Sequence, residues 1–153
     1  MVTNPGIAAQ TVSQTDGNWR RYDAELKFYE HIKNDILREA EAAGMSPQQK
    51  FKLELGIEEI AVNIIRYAYK DPGYMFVRTD SDGGNFRLEF VDHGFPFDPL
   101  AQKMKHGEVP TDDQDEGGYG IFLVKKNFSS VVYRHEEMFD AMANHLIMEL
   151  PLS

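Results

Sequence analysis

The hydrophobic period changes once along this chain, and that change constrains the fold more than any other feature. From about residue 19 to residue 69 apolar side chains recur at helical spacing; from residue 74 onward they alternate with polar ones. Leu26, Tyr29, Ile32, Ile36, Leu37 and Ala40 mark a helix read as running from Trp19 to Ala43, stopped by Gly44. Ser46-Pro47 is an N-cap followed by proline at the first helical position; it predicts a second helix through about Tyr69, ended by Asp71-Pro72-Gly73. In the second half, Tyr74–Thr79 and Phe86–Val91 read as strands around the turn residues Ser81-Asp82-Gly83-Gly84-Asn85. Asp92–Phe97 reads as a loop, and Asp98 as the start of a short helical piece. Ile121–Phe128 reads as a helix, and Val131–Arg134 with Ala143–Leu150 as a closing hairpin. Helices in a block followed by hairpins predict an α+β fold, with the helices on one face of a largely antiparallel sheet.

At 153 residues the chain is expected to form one domain, 19–153, preceded by a loose polar arm, 1–18, with room for an edge strand at Ile7 or Val12. The formal net charge of −9, with no Lys/Arg cluster, argues against nucleic-acid binding, which needs a basic face for phosphate. With no cysteine, thiolate catalysis and disulfides are excluded. No apolar run approaches the roughly 20 residues that span a bilayer, and MVTNPGIAAQ lacks a charged, then apolar, leader pattern. The expectation is a cytoplasmic protein with no membrane segment.

Three stretches could carry chemistry. On the second helix, Glu59 and Asn63 lie four apart on one face, between an apolar stripe (Leu53, Ile57, Ile60, Ile64, Ala68) and the opposite pair Leu55 and Val62. A partly desolvated carboxylate can act as a general base, and a carboxamide oxygen can ligate a hard cation. In Asp92-His93-Gly94-Phe95-Pro96-Phe97-Asp98, an acid at a strand end can point an acceptor into a pocket while Gly94 admits a flat ligand. In Glu116-Gly117-Gly118-Tyr119-Gly120-Ile121-Phe122-Leu123-Val124, glycines run into an apolar helix whose free N–H groups suit phosphate. Taken singly, each is more simply read as an ordinary helix face, a capping turn or a hinge, in that order. His93, His106, His135 and His145 show no metal-ligand spacing, and His31 reads as a surface residue.

In their order and spacing the three stretches resemble the N box and the two glycine boxes of the GHKL ATPase superfamily, to which gyrase and the histidine kinases belong. Within it the chain looks most like the small bacterial anti-sigma-factor serine kinases. The resemblance runs over residues 20–150. It implies the Bergerat fold, an α/β sandwich in which ATP lies between a mixed sheet and the helices. It also implies roles for single residues. Asn63 would hold Mg²⁺, Glu59 would be the general base, Asp92 would read the adenine amine above Gly94 and Phe97, and Gly118 and Gly120 would cradle the phosphates. The implied function is an ATP- and Mg²⁺-dependent protein-serine kinase and anti-sigma factor. It would bind a sigma factor, phosphorylate an anti-anti-sigma partner of the STAS type and form a homodimer. Three departures stand out: Tyr67 replaces the usual His, Tyr119 replaces a common Leu, and the stretch Asp112–Glu116 is acidic with no Arg or Lys. They keep open a non-catalytic nucleotide-binding or sequestering module of the same fold, or a detached ATPase domain serving a phosphorelay in trans.

Overall fold

A computed structural model describes residues 10–12, 18–101 and 116–153. Six strands form one sheet in the order β1-β2-β3-β4-β6-β5, and every described pairing is antiparallel. They are β1 (Gln10–Val12), β2 (Trp19–Ala24), β3 (Gly73–Asp82), β4 (Asn85–Asp92), β5 (Ser130–Met138) and β6 (Ala141–Pro151). Three helices, α1 (Tyr29–Ala42), α2 (Pro47–Asn63) and α3 (Glu116–Asn127), pack on one face, as the order of periods predicts. The parallel component of a mixed sheet is absent among the described residues.

The strand alternation sorts the two faces. Phe86, Leu88 and Phe90 of β4, and Leu146, Met148 and Leu150 of β6, are buried against Ile32 and Ile36 of α1 and Leu53, Ile57 and Ile60 of α2. The next positions of the same parity, Asp92 at the end of β4 and Asn144 near the start of β6, therefore also face the helices, and the two are register partners. Opposite parity sends Trp19, Phe76, Val91 and Ala143 to the outer face, where they form a second small cluster. Beside it lies an ionic row. Arg78 Nε donates to Glu89 at 2.7 Å, and His145 bridges Glu89 (2.8 Å) and Glu136 (2.7 Å) through its two ring nitrogens.

Both hairpins turn on two residues with positive φ: Gly83 and Gly84 (58° and 82°) after β3, Phe139 and Asp140 (56° and 66°) after β5. The second turn spends a left-handed conformation on a phenylalanine. Its ring is stacked on Phe76 at 3.8 Å and meets Trp19 edge-on.

Several expectations need correction. Residues 19–24 are a strand, not the start of the first helix. Trp19 and Tyr22 are three apart, which imitates a helical period, but they are buried on opposite faces of the sheet. The second helix begins as predicted, with Ser46 Oγ accepting from the Gln49 N–H, but its last turn, Ile64–Ala68, widens to a π-helix. The third helix starts at Glu116, so Gly117, Gly118 and Gly120 lie inside its first turns and do not form a preceding loop. β4 runs on through Asp92. Of the polar arm, Gln10–Val12 forms β1; Ile7 and the acidic segment through Asp115 lie outside the described residues.

Candidate functional site

The C-terminal half of α2 forms one wall of a cavity of about 440 Å³. Its lining includes Leu55, Glu58, Glu59, Val62, Asn63, Arg66 and Tyr67 from α2 and its π turn, Leu26 from the 3-10 turn before α1, Tyr29 from the start of α1, and Gly120 and Leu123 from α3. Glu59 and Asn63 are joined: Asn63 Nδ2 donates to Glu59 Oε2 at 2.7 Å, the reach that a four-residue helical spacing allows. Because the amide nitrogen must face the carboxylate, Asn63 Oδ1 points its lone pairs elsewhere and has no partner among the described residues. Burial pushes the Glu59 carboxyl above the ordinary carboxylate range. The Asn63 hydrogen bond pulls it part of the way back, and the Glu58 charge adds to the rise.

Gly120 lies directly over this carboxylate. A Cβ there would fall 1.7 Å from Glu59 Oε1, so the close approach of α3 to α2 requires a residue without a side chain. Gly56 serves the same packing one turn earlier, where a Cβ would meet the Phe128 ring at 2.6 Å. Arg66 is the only cation lining the cavity among the described residues and has no ion pair among them. Sequence reasoning missed it. Its signal was the spacing, three residues beyond Asn63 and thus on the same face.

Asp92 and Gly94 do not line this cavity; Gly94 abuts the last residue of the π turn that ends the same helix. A Cβ on Gly94 would lie 2.1 Å from the Ala68 carbonyl oxygen, which, as a helix-end acceptor, takes the Phe95 N–H at 2.9 Å. Tyr69 tightens the junction: its hydroxyl accepts from His93 N at 2.8 Å and donates to Tyr74 O at 2.6 Å. His93 is committed to this frame, with Nε2 on the Met138 carbonyl and Nδ1 on the Tyr74 hydroxyl. The first two predicted stretches thus meet at Ala68.

Asp92 is only 6% exposed. Its Oδ1 accepts from Gly94 N and from Asn144 Nδ2, both at 2.9 Å, while Oδ2 has no partner among the described residues. Burial pushes its carboxyl up, and the Asn144 and Gly94 donors counter part of the rise. Asn144 was not predicted, although alternation from Leu146, Met148 and Leu150 placed it on the helix-facing side. Phe97 is about half exposed, and its backbone N–H donates to Asn144 Oδ1. Asp98 caps the short 3-10 turn Pro99–Ala101, accepting from Leu100 N at 2.8 Å. Lys125 of α3 donates to the Leu100 carbonyl at 2.9 Å, which ties α3 to the short turn that follows the second stretch. Gly118 lies in the first turn of α3.

The donor set suits a nucleotide and a hard cation. Asn63 offers an amide oxygen beside a carboxylate, and Asp92 an acceptor oxygen, neither with a partner among the described residues. No cluster of three His, Cys, Asp or Glu able to hold a metal alone occurs among the described residues, so a cation here would draw further ligands from a phosphate-bearing partner.

Helices on a single face of an antiparallel sheet, with a ligand-sized cavity among all three, are consistent with an ATP-binding domain of the GHKL type. The chain belongs to the histidine kinase-like ATPase domain family, whose model matches residues 24–149. That span runs from the last residue of β2 to Glu149 near the end of β6 and includes all three stretches. No curated protein matches the chain. Among the described residues no helix is long and apolar enough to cross a membrane.

Proposed function

We propose that this ATPase-type domain is an ATP- and Mg²⁺-dependent protein-serine kinase that doubles as an anti-sigma factor. In this reading it phosphorylates a small anti-anti-sigma protein of the STAS type, binds a sigma factor, and works as a homodimer in the cytoplasm. The observation that carries the chemical part is the Glu59–Asn63 hydrogen bond at the cavity wall. It orients a carboxylate and an amide oxygen together, the pair needed to take a proton from a hydroxyl and to hold a cation beside phosphate. The partners rest on the resemblance of the three stretches to the anti-sigma-factor kinases.

Asn63 Oδ1 would ligate Mg²⁺, which when bound supplies charge neutralisation along the phosphates. Glu59, its carboxyl raised by burial and braced by Asn63, accepts the proton of the attacking serine. Arg66 offsets negative charge that the acidic 112–116 stretch cannot. Asp92 takes the exocyclic amine of the base on Oδ2, with Gly94 keeping the floor flat and Phe97 at its edge. Gly118 and Gly120 bring the start of α3 against the phosphates.

Glu59→Gln keeps an acceptor for Asn63 but cannot take up a proton. ATP binding measured by calorimetry should be retained, while ADP formation and phosphate transfer to a STAS-type partner should fall by about 100-fold or more. Normal turnover in this variant would show that Glu59 is not the base. The acidic 112–116 stretch favours a second reading, a sequestering module that binds nucleotide without transfer. Wild-type protein that binds Mg-ATP yet phosphorylates no partner would establish it.

A further inference from the structure

The cavity has two sides along α2. At about 100° per residue, Phe51, Leu55, Glu58 and Val62 fall within an arc of about 60°. Glu59 and Asn63 lie beyond that arc, where Gly120 of α3 closes on the carboxylate. Leu55, Glu58 and Val62 line the cavity together with Leu26 and Tyr29, and the same stripe runs out of it to Phe51. Phe51 is 66% exposed and Leu26 57%. Single exposed apolar residues are ordinary, but a row that leads into a cavity has the form of a socket for a partner's anchoring side chains. From Phe51 to Val62 the stripe is about 16 Å long, three helical turns.

The charges beside the stripe have one sign. Burial and the charges of Glu58, Glu30 and Glu54 push the Tyr29 hydroxyl up, which places all three acids around that ring. The nearby lysines are already spent: Lys33 pairs with Glu30 at 3.0 Å and Lys27 with Glu25 at 3.9 Å. Glu54 and Glu58 have no ion pair among the described residues. Arg66 lies two turns further along α2, past Asn63.

Resting on the reading that a partner brings its hydroxyl to Glu59, we propose that the Phe51–Leu55–Val62 stripe is the docking site for that protein. The partner offers an amphipathic helix whose apolar side chains lie beside Lys or Arg. Its apolar anchors enter the cavity against Leu26 and Tyr29, and its cations meet Glu54 and Glu58. Glu58 and Glu59 are adjacent, so a helix seated on the stripe lies beside the carboxylate without covering Asn63.

The test uses two fluorescein-labelled synthetic amphipathic helices, one of leucine and lysine and one of leucine and glutamate, titrated with the full chain by fluorescence anisotropy. Wild-type protein should bind the lysine helix about tenfold or more above the glutamate helix. Glu54→Lys with Glu58→Lys should lose about tenfold or more of that affinity, and Phe51→Ser about threefold or more. Asp71→Lys with Glu137→Lys changes the net charge equally at exposed positions off the stripe, and should stay within about twofold of wild type. Equal binding of the two helices, an equal loss in that control, or wild-type protein that binds neither helix overturns the proposal. Mg-ATP should leave the lysine helix bound, and its displacement by Mg-ATP also overturns the proposal. A chain that shows this helix-binding pattern but binds no Mg-ATP overturns the kinase reading and leaves the docking surface to a sequestering module. If a second copy of the chain covers the stripe instead, Phe51→Ser will shift the sedimentation of the free protein, and the proposal falls. If circular dichroism shows that the double variant does not fold, Phe51→Ser decides alone, since its side chain is already exposed.

Discussion

Replacing Gly120 with alanine pits helix propensity against the geometry of the cavity wall. In a free helix the change stabilises by about 1 kcal/mol, because glycine pays more backbone entropy than alanine. Here the new Cβ would sit 1.7 Å from Glu59 Oε1 and 2.1 Å from its Cδ. Either Glu59 leaves its rotamer, at about 0.5–1.5 kcal/mol, or α3 retreats from α2. If Glu59 moves, the charge-assisted bond from Asn63 goes with it, worth about 1.5–3 kcal/mol where buried and less at this half-buried site. The sum predicts a variant about 1–2 kcal/mol less stable than wild type. Urea unfolding followed by circular dichroism measures this, and an unchanged m-value shows that only stability moved. ATP affinity should fall as well, because Asn63 loses the partner that orients its oxygen. A Gly120→Ala protein that gains about 1 kcal/mol, as helix propensity alone predicts, would mean that α3 does not close on Glu59.

Two further predictions concern the rest of the sheet. Burial works against the charge on His145, but hydrogen bonds to Glu89 and Glu136 outweigh it and raise its value above the ordinary 6.5; the same row lowers Glu89 from 4.5 to about 2. The Glu89 contribution is present above pH 4.5 and is lost toward pH 2, while the His145 contribution is complete below 6.5 and is lost as pH rises through its raised value. Glu59 and Asp92, both raised, also favour the acid side. Thermal unfolding across pH 3–9 should therefore peak between about 4.5 and 6.5, and a Tm that climbs through pH 8 would contradict the assignment. At the β5–β6 turn, Asp140→Gly should stabilise by about 0.5–1 kcal/mol by removing a left-handed non-glycine residue. Phe139→Gly should destabilise, because the ring stacked on Phe76 goes with it. Equal signs for the pair in differential scanning calorimetry would refute the account.

The features legible in the sequence are those that local periodicity controls. The alternation Phe86, Leu88, Phe90 runs on to Asp92, so a strand reading already aims that acid at the helices. The capping signal at Ser46-Pro47 located the start of α2, and the four-residue spacing paired Glu59 with Asn63. The illegible parts depend on contacts distant along the chain. β2 is a strand because it pairs with β3 across about fifty residues, and its Trp19–Tyr22 spacing points locally to a helix. The early start of α3 was hidden by three glycines whose low propensity argues for a loop; packing against Glu59 requires what propensity disfavours. Asn144 was as predictable as Asp92 by parity. Its importance arises from four partners on three separate segments, which no local pattern encodes.

The ionic row on the outer face takes one member from each of four neighbouring strands: Arg78 from β3, Glu89 from β4, His145 from β6 and Glu136 from β5. Greasy side chains tolerate a strand sliding by two residues, since parity is kept and the apolar contacts re-form. This row does not. Such a slide would strand Glu89 in a dry setting without its counter-charges, an error costing several kcal/mol. The side of the sheet that carries no helices thereby acts as an alignment gauge for the other, keeping the ends of β4 and β6 level so that an acid and an amide meet there.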